Sequence, residues 1–388
     1  MRKYTADFIL NPEGKLIKDH MLVADDQGMI IDLVRGGDSD SVYYKGILSP
    51  GFINTHCHLE LSYLQNQIAE GTGLDGFIRD IVKTRNDASP EIASAISHAD
   101  QLMWNQGIQG VGDICNTDHT FKTKQSGKIR YHSFIELFNF KPEEAFATFN
   151  AGLAKYNTAI ASHKNASIIP HAPYSVTPEL FQLIKEHHQK NNSPWCIHNQ
   201  ESAAENELFK NEKGALWKCF TAMGVDMSRF TPTGKNSLPS ISSYFPENSN
   251  MLLVHNTFTS QSDIDFLKSE NYFKNTWLVL CVKANLYIEK QTPDIKMLHE
   301  AGCKLTIGTD SLASNDTLSV LEEIKVIHKY FPNLPVADLL QWATKNGASY
   351  FGWNDLGAFN KNTTPGILCI SNADTNYIAA ESTVTRIL

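Results

Sequence analysis

His56 and His58 stand one residue apart, just after Ser49-Pro50-Gly51 and the apolar pair Phe52-Ile53. On a β-strand, side chains alternate between faces, so these two imidazoles point the same way and Cys57 points the other. Two neutral imidazoles converging at a strand end form half of a metal site. The competing reading is a pair of polar residues on a solvated loop. Further groups able to do chemistry follow apolar runs later in the chain: His171 in Pro170-His171-Ala172-Pro173-Tyr174-Ser175, His198 in His198-Asn199-Gln200-Glu201, then His255-Asn256 and Gly308-Thr309-Asp310-Ser311. Imidazoles and carboxylates at such positions suit metal binding and proton transfer.

These residues need elements to hold them. Strand-like apolar runs occur at 51–55, 110–114, 129–137, 167–169, 194–197, 251–254, 276–281 and 304–307. Helix-like segments at 75–86, 91–106, 177–190, 200–222, 261–269 and 318–330 separate most of them. Eight strands with crossover helices predict an α/β fold, a (β/α)8 TIM barrel, whose chemistry gathers at the C-terminal strand ends. Five of the 14 histidines fall at such ends, which a random scatter does not produce. Short apolar runs broken by turn residues fill both chain ends and predict a small β-sandwich built from both termini. The expected division is 1–48 plus 357–388 for the sandwich and 49–356 for the barrel. The Ser-, Thr-, Pro- and Asn-rich stretch 230–250 reads as a long loop, either shaping a pocket or a tolerated surface insertion.

A net charge of −8 disfavours nucleic acid and anionic membrane as partners, leaving a small-molecule substrate. There is no 18-residue apolar run, and the first residues, which lack an apolar h-region and a small-residue cleavage site, are expected to carry no secretory leader. Seven scattered cysteines with no C-x-x-C pair read as reduced thiols of a cytoplasmic protein. Homo-oligomerisation stays open.

Taken jointly, Pro-Gly-Phe-Ile-Asn-x-His-x-His (50–58), His-x-Pro-Tyr-Ser (171–175), His-x-x-Glu (198–201), His255, Asn-Leu-Tyr (285–287) and Gly-Thr-Asp-Ser-x-x-Ser-Asn (308–315) resemble the amidohydrolase superfamily. Within it they resemble the aminohydrolase branch, which holds deaminases of adenosine derivatives, guanine and cytosine together with chlorohydrolases. The stretch 71–85 resembles the first barrel loop and helix of aminodeoxyfutalosine-type deaminases. The resemblance implies that His56, His58, His198 and Asp310 bind one divalent metal ion, Zn²⁺ in the first place and Fe²⁺ as the alternative. It implies that Glu201 shuttles protons, that His255 holds the nucleophilic water or the developing oxyanion, and that Asp310 doubles as general base. His171 matches a substrate-contacting histidine, and Asn285 and Asn315 match supporting positions. The implied activity is hydrolytic deamination of an amino-substituted N-heterocycle, a purine base or adenosine-like nucleoside. Alternatives on the same scaffold are ring opening of a cyclic amide, as in imidazolonepropionase, chlorohydrolysis, or a non-catalytic scaffold. Binuclear relatives carry a bridging carboxylated lysine at the end of strand four, where this chain has His171. The segment Cys281-Val282-Lys283-Ala284-Asn285 departs from the usual Cys-Pro-x-Ser-Asn.

Each candidate also has a structural reading. Asp310 suits a helix N-cap, and Glu201 suits a first-turn acid facing the helix dipole. Glu60, two residues past His58, is either on the pocket face or a solvated acid. Glu136 at the end of the third strand is a pocket-lining candidate, and both acids are expected substrate contacts together with His171 and Asn285. Arg79 and Arg85 suit a substrate anion or a plain helix surface, and Phe77 suits stacking on a base or, as the favoured reading, the core. His187 and His188 are expected to be solvated on a polar helix, with His98, His299 and His328 in surface roles.

Overall fold

The computed structural model describes residues 1–211, 213–247 and 249–388. All eight expected barrel strands form: β6 (Phe52–Cys57), β7 (Ile108–Cys115), β8 (Arg130–Leu137), β9 (Ala166–Pro170), β10 (Trp195–Asn199), β11 (Met251–His255), β12 (Thr276–Leu280) and β13 (Lys304–Ile307). They pair in parallel as two four-stranded sheets, β6-β7-β8-β9 and β10-β11-β12-β13. Hydrogen bonds cross from one sheet to the other at the strand ends. His198 N donates to His171 O at 3.0 Å, and the amides of Thr309 and Asp310 donate to His56 O at 3.0 and 3.1 Å. The arrangement is TIM-barrel-like.

Both faces of these strands are buried, so apolar side chains fill both, most densely in β11 and β12. Ile114, Phe134, Ile169, Cys196, Val254 and Val279 share one cluster, while their alternates Cys115, Ile135, Ile168, Ile197, Leu253 and Leu278 join the main core against the helices. The helix Pro178–Asn191 shows how the helical period completes that core. Leu180, Phe181, Ile184 and His188 are its buried positions. This corrects the expectation for His188, which lies on the inward stripe and packs edge-on against Trp195. His328 is likewise buried on the inward face of Val320–Tyr330, whereas His98 is exposed.

The remaining strands are β1 (Arg2–Leu10), β2 (Leu16–Ile17), β3 (His20–Ala24), β4 (Ile30–Arg35), β5 (Val42–Ser49), β14 (Leu368–Ala373) and β15 (Ile378–Arg386). They form one sheet in the order β15-β14-β5-β1-β3-β4, with β2 on β1. The two chain ends meet where β14 runs antiparallel to β5, Leu368 opposite Ser49. What the pairing supports of the sandwich expectation is this joining of both ends in a single mixed sheet. Strand alternation gives the sheet two apolar faces. Ile47 packs into the main core and Leu48 into a separate cluster with Tyr4, Ile9, Leu22 and Ile30. From β5 the chain passes through Pro50-Gly51 directly into β6, so the sheet fixes the entry of the strand that carries His56.

Among the described residues, no helix is long and apolar enough to cross a membrane. All seven cysteines are free, and all but Cys303 are buried.

Candidate active site

His56, on β6, and His58, just past its end, project to the same side, while Cys57 is packed in the main core, as strand alternation requires. His56 Nε2 lies 3.2 Å from His58 Nε2, and His58 Nε2 lies 3.4 Å from His198 Nε2. Asp310 Oδ1 stands 3.6 Å from His56 Nε2 and 3.4 Å from His58 Nε2. His56, His58 and His198 offer donor atoms that all lie within 4.8 Å of one another, and Asp310 groups in the same way with His56 and His255. Ligands about 2.0–2.1 Å from a tetrahedral Zn²⁺ stand about 3.3 Å from one another, so contacts of 3.2 to 3.6 Å fit a shared divalent ion.

Burial shapes the protonation states of these groups. Burial pushes the histidines down, His58 to about 3 and His198 well below its ordinary value, which keeps the imidazoles neutral and able to ligate. His198 Nδ1–H donates to the His171 carbonyl at 2.8 Å, leaving Nε2 as the lone-pair nitrogen. Burial alone would raise Asp310, but its contacts with His56, His58 and His255 outweigh it and keep the carboxylate ionised. Its other oxygen accepts from Ser314 Oγ at 2.5 Å.

The backbone is bent to achieve this. Gln200, His255, Asn256 and Asp310 all have positive φ, a conformation that costs non-glycine residues energy and gathers at functional sites. Gly308 lies directly against His56, where an added Cβ would come within 2.8 Å of the histidine's own Cβ. Asn54 and Thr309 lock β6 to the turn after β13 through reciprocal bonds of 2.7 and 3.1 Å.

Glu201 and His255 stand beside the four ligands. His255 Nδ1–H donates to Asn285 Oδ1 at 2.9 Å, so Nε2 is its unprotonated nitrogen, 3.6 Å from Glu201 Oε1. Burial, reinforced by Asp310, pushes the Glu201 carboxyl well above the usual carboxylate range, so it is held as a proton donor. Glu205, absent from the sequence-based candidates, shapes this turn. Its two carboxylate oxygens accept from the amides of Gln200 and Glu201 at 3.0 and 3.2 Å. The signal was an acid four residues after Glu201 in the first turn of the helix Ala203–Asn211. Asn285 sits in the helix Val282–Glu289, so the chain supports His255 despite lacking the usual proline and serine there.

A cavity of about 820 Å³ opens over these groups. Its walls include Phe77, Ile78 and Ile81 from the helix Gly73–Thr84, with Phe138, Phe140 and Phe220. Phe77, read as core, thus lines the cavity. His171 and Glu136 line it as well, His171 with Nδ1 2.6 Å from Ser175 Oγ. Burial pushes the Glu136 carboxyl up to about 8. Glu60 and Asn285 are not among the lining residues. Glu60 instead accepts from Arg85 Nη2, Thr117 N and Thr117 Oγ1 at 2.9, 2.9 and 2.7 Å. Arg85 is also bound to Asp87 and Asn116, whereas Arg79 lies largely in solvent. No described residue of the 230–250 stretch lines the cavity; Leu238, Ile241 and Phe245 pack into the main core, and Asn248 lies outside the described residues.

A buried ion pair lies behind β6. Lys124 Nζ is 2.6 Å from Asp113 Oδ2 with neither side chain exposed, and Asp113 Oδ1 accepts from the amide of Leu59, next to His58. Lys124→Met is expected to destabilise the fold by about 3–5 kcal/mol, because it leaves a buried carboxylate without its partner. Denaturant unfolding measures this; a loss below about 1 kcal/mol, the scale of an exposed pair, would contradict the assignment.

The family model described as "Amidohydrolase family" matches residues 47–364. An adenosine deaminase from Helicobacter pylori is 25% identical over 364 residues, covering 90% of this chain and 86% of that protein. Among solved structures, Helicobacter pylori aminofutalosine deaminase in complex with methylthio-coformycin superimposes with a TM-score of 0.83 at 21% identity, over 100% of both chains. An adenosine deaminase from Xanthomonas campestris with bound zinc gives a TM-score of 0.72 at 20% identity, over 95% of this chain and 84% of that one.

Proposed function

The chain belongs to the amidohydrolase family, and on that premise we propose that it is a metal-dependent deaminase of an amino-substituted N-heterocycle, a purine base or adenosine-like nucleoside. It is a hydrolase of carbon–nitrogen bonds other than peptide bonds. The observation that carries the finer reading is the cluster of three imidazoles, with Asp310 against two of them, beside the Glu201–His255 pair on the floor of an apolar cavity. The named relatives, deaminases of adenosine and aminofutalosine, support the same choice.

In this reading His56, His58, His198 and Asp310 hold one divalent ion, Zn²⁺ before Fe²⁺. A bound divalent ion would lower the pKa of a coordinated water from 15.7 toward about 7 and polarise the group under attack. The protein's own groups supply the rest. Asp310 accepts the proton released by the attacking water. Glu201, kept protonated by burial, donates to the ring nitrogen next to the carbon under attack, which lowers the cost of breaking aromaticity. His255, with Nδ1–H committed to Asn285, presents Nε2 toward the oxygen being added. The proton taken up by Asp310 passes to the departing amine, which leaves as ammonia, and the proton left on the added oxygen returns to Glu201 as the carbonyl forms. His171 contacts the substrate from the cavity wall, and Glu60 and Asn285 act through the groups they hold. The catalytic unit is residues 49–356, with 1–48 and 357–388 as the flanking unit. A cytoplasmic location belongs to the same reading, in keeping with seven free thiols.

The metal-loaded enzyme, screened against aminopurines, their nucleosides, cyclic amides and chlorotriazines, is expected to release ammonia one-for-one with a carbonyl product of unchanged ring skeleton. Mass spectrometry of the product shows oxygen in place of NH. A product heavier by a whole water identifies ring opening, and chloride release identifies a chlorohydrolase; either as the dominant activity ends the deaminase reading.

A further inference from the structure

Buried polar atoms in folded proteins are almost always hydrogen-bonded, so a buried acceptor that faces a cavity without a partner marks a place where a ligand supplies one. Among the described residues, Glu136 Oε1 is the one side-chain atom lining the cavity that is both buried and without a partner. Its other oxygen is fixed, accepting from Asn116 Nδ2 at 2.9 Å. Asn116 is oriented in turn, because its Oδ1 accepts from Arg85 Nη1 at 2.9 Å and Arg85 is held by Glu60. Oε1 is 3.5 Å from His198 Nδ1, but that nitrogen's hydrogen is committed to the His171 carbonyl. The carboxylate is therefore aimed and half-satisfied.

Its position narrows the ligand. Glu136 stands at the Nδ1 edge of His198, and the opposite edge, Nε2, faces the metal ligands. A substrate group reaching Glu136 is displaced from the reacting carbon by the width of that imidazole. A hydroxyl, which both donates and accepts, pairs with Oε1 whether the carboxyl is ionised or protonated. The cavity, about 820 Å³, lies in the upper part of the roughly 300–1,000 Å³ range that encloses drug-sized ligands. It leaves room beyond a purine ring.

We propose that Glu136 selects a nucleoside over a free base, its Oε1 hydrogen-bonded to a sugar hydroxyl of the substrate. This rests on the deaminase reading above. The test compares ammonia release by the metal-loaded enzyme from adenosine, 2′,3′-dideoxyadenosine and adenine. Loss of the hydroxyls is expected to lower kcat/KM by about 3- to 10-fold, the worth of an ordinary buried hydrogen bond, and adenine is expected to be poorer still. In Glu136→Gln and Glu136→Ala, with metal content checked, the ratio of adenosine to dideoxyadenosine should collapse toward unity. Equal use of the two nucleosides by the wild type, which needs no variant to fold, overturns the proposal and leaves the deaminase reading standing. So does an unchanged ratio in both variants, or adenine as the better substrate. Ammonia from none of the three or from any other aminopurine overturns the deaminase reading, and this proposal with it.

Discussion

Glu201→Gln is expected to retain its metal and lose kcat by about 10²–10⁴, the usual contribution of a general acid–base group. The substitution keeps the shape of a residue that is 5% exposed and whose turn is pinned by Glu205. It removes the one property the reaction needs there, a proton that can be given and taken back. Glu201 is not among the proposed ligands His56, His58, His198 and Asp310, so elemental analysis should find the metal undiminished. Its oxygen is 3.6 Å from His255 Nε2, close enough to serve the same reacting centre from the side. A metal-replete variant with near-normal kcat would remove Glu201 from the mechanism, whereas a variant without metal would move it into the ligand set.

Removing the metal should have the larger effect. Protein purified without chelator is expected to carry about one divalent ion per chain, held in the proposed reading by His56, His58, His198 and Asp310. Stripping it should reduce ammonia release to background, and one equivalent of Zn²⁺ or Fe²⁺ should restore it. A second ion would need a further bridging ligand. The lysine nearest to strand four, Lys164, caps the helix Ala145–His163 and precedes β9, at the opposite end of that strand from His171. Two equivalents of tightly held metal, or turnover that survives stripping, would refute the single-ion site.

The proposed metal ligands stand out in the sequence because their placement follows from local rules. A period of two puts His56 and His58 on one face whatever the rest of the chain does. Strands buried on both faces read as unbroken apolar runs, and a polar residue at the end of such a run marks the rim of a parallel barrel. Glu201 was found for the same reason, three residues past His198 at a strand end.

The groups that hold these residues in place depended on the tertiary structure. Asp113 meets Lys124 and the Leu59 amide, Glu60 meets Arg85 and Thr117, and Asn116 links Arg85 to Glu136. These partners lie on different elements, and no period relates their positions. An acidic side chain in a loop reads as solvated until the fold removes the water around it. Glu60 became a tether only when β6 and β7 came into register, whereas Glu136, at the end of β8, was already a pocket-lining candidate and lines the cavity. The same holds for 230–250, polar enough in composition to be a pocket loop, whose few apolar residues drew it into the core and away from the cavity. Strand alternation is a property of the backbone itself, so the sequence carries it. Burial and partnership are properties of surfaces that meet, and they exist only once the chain has folded.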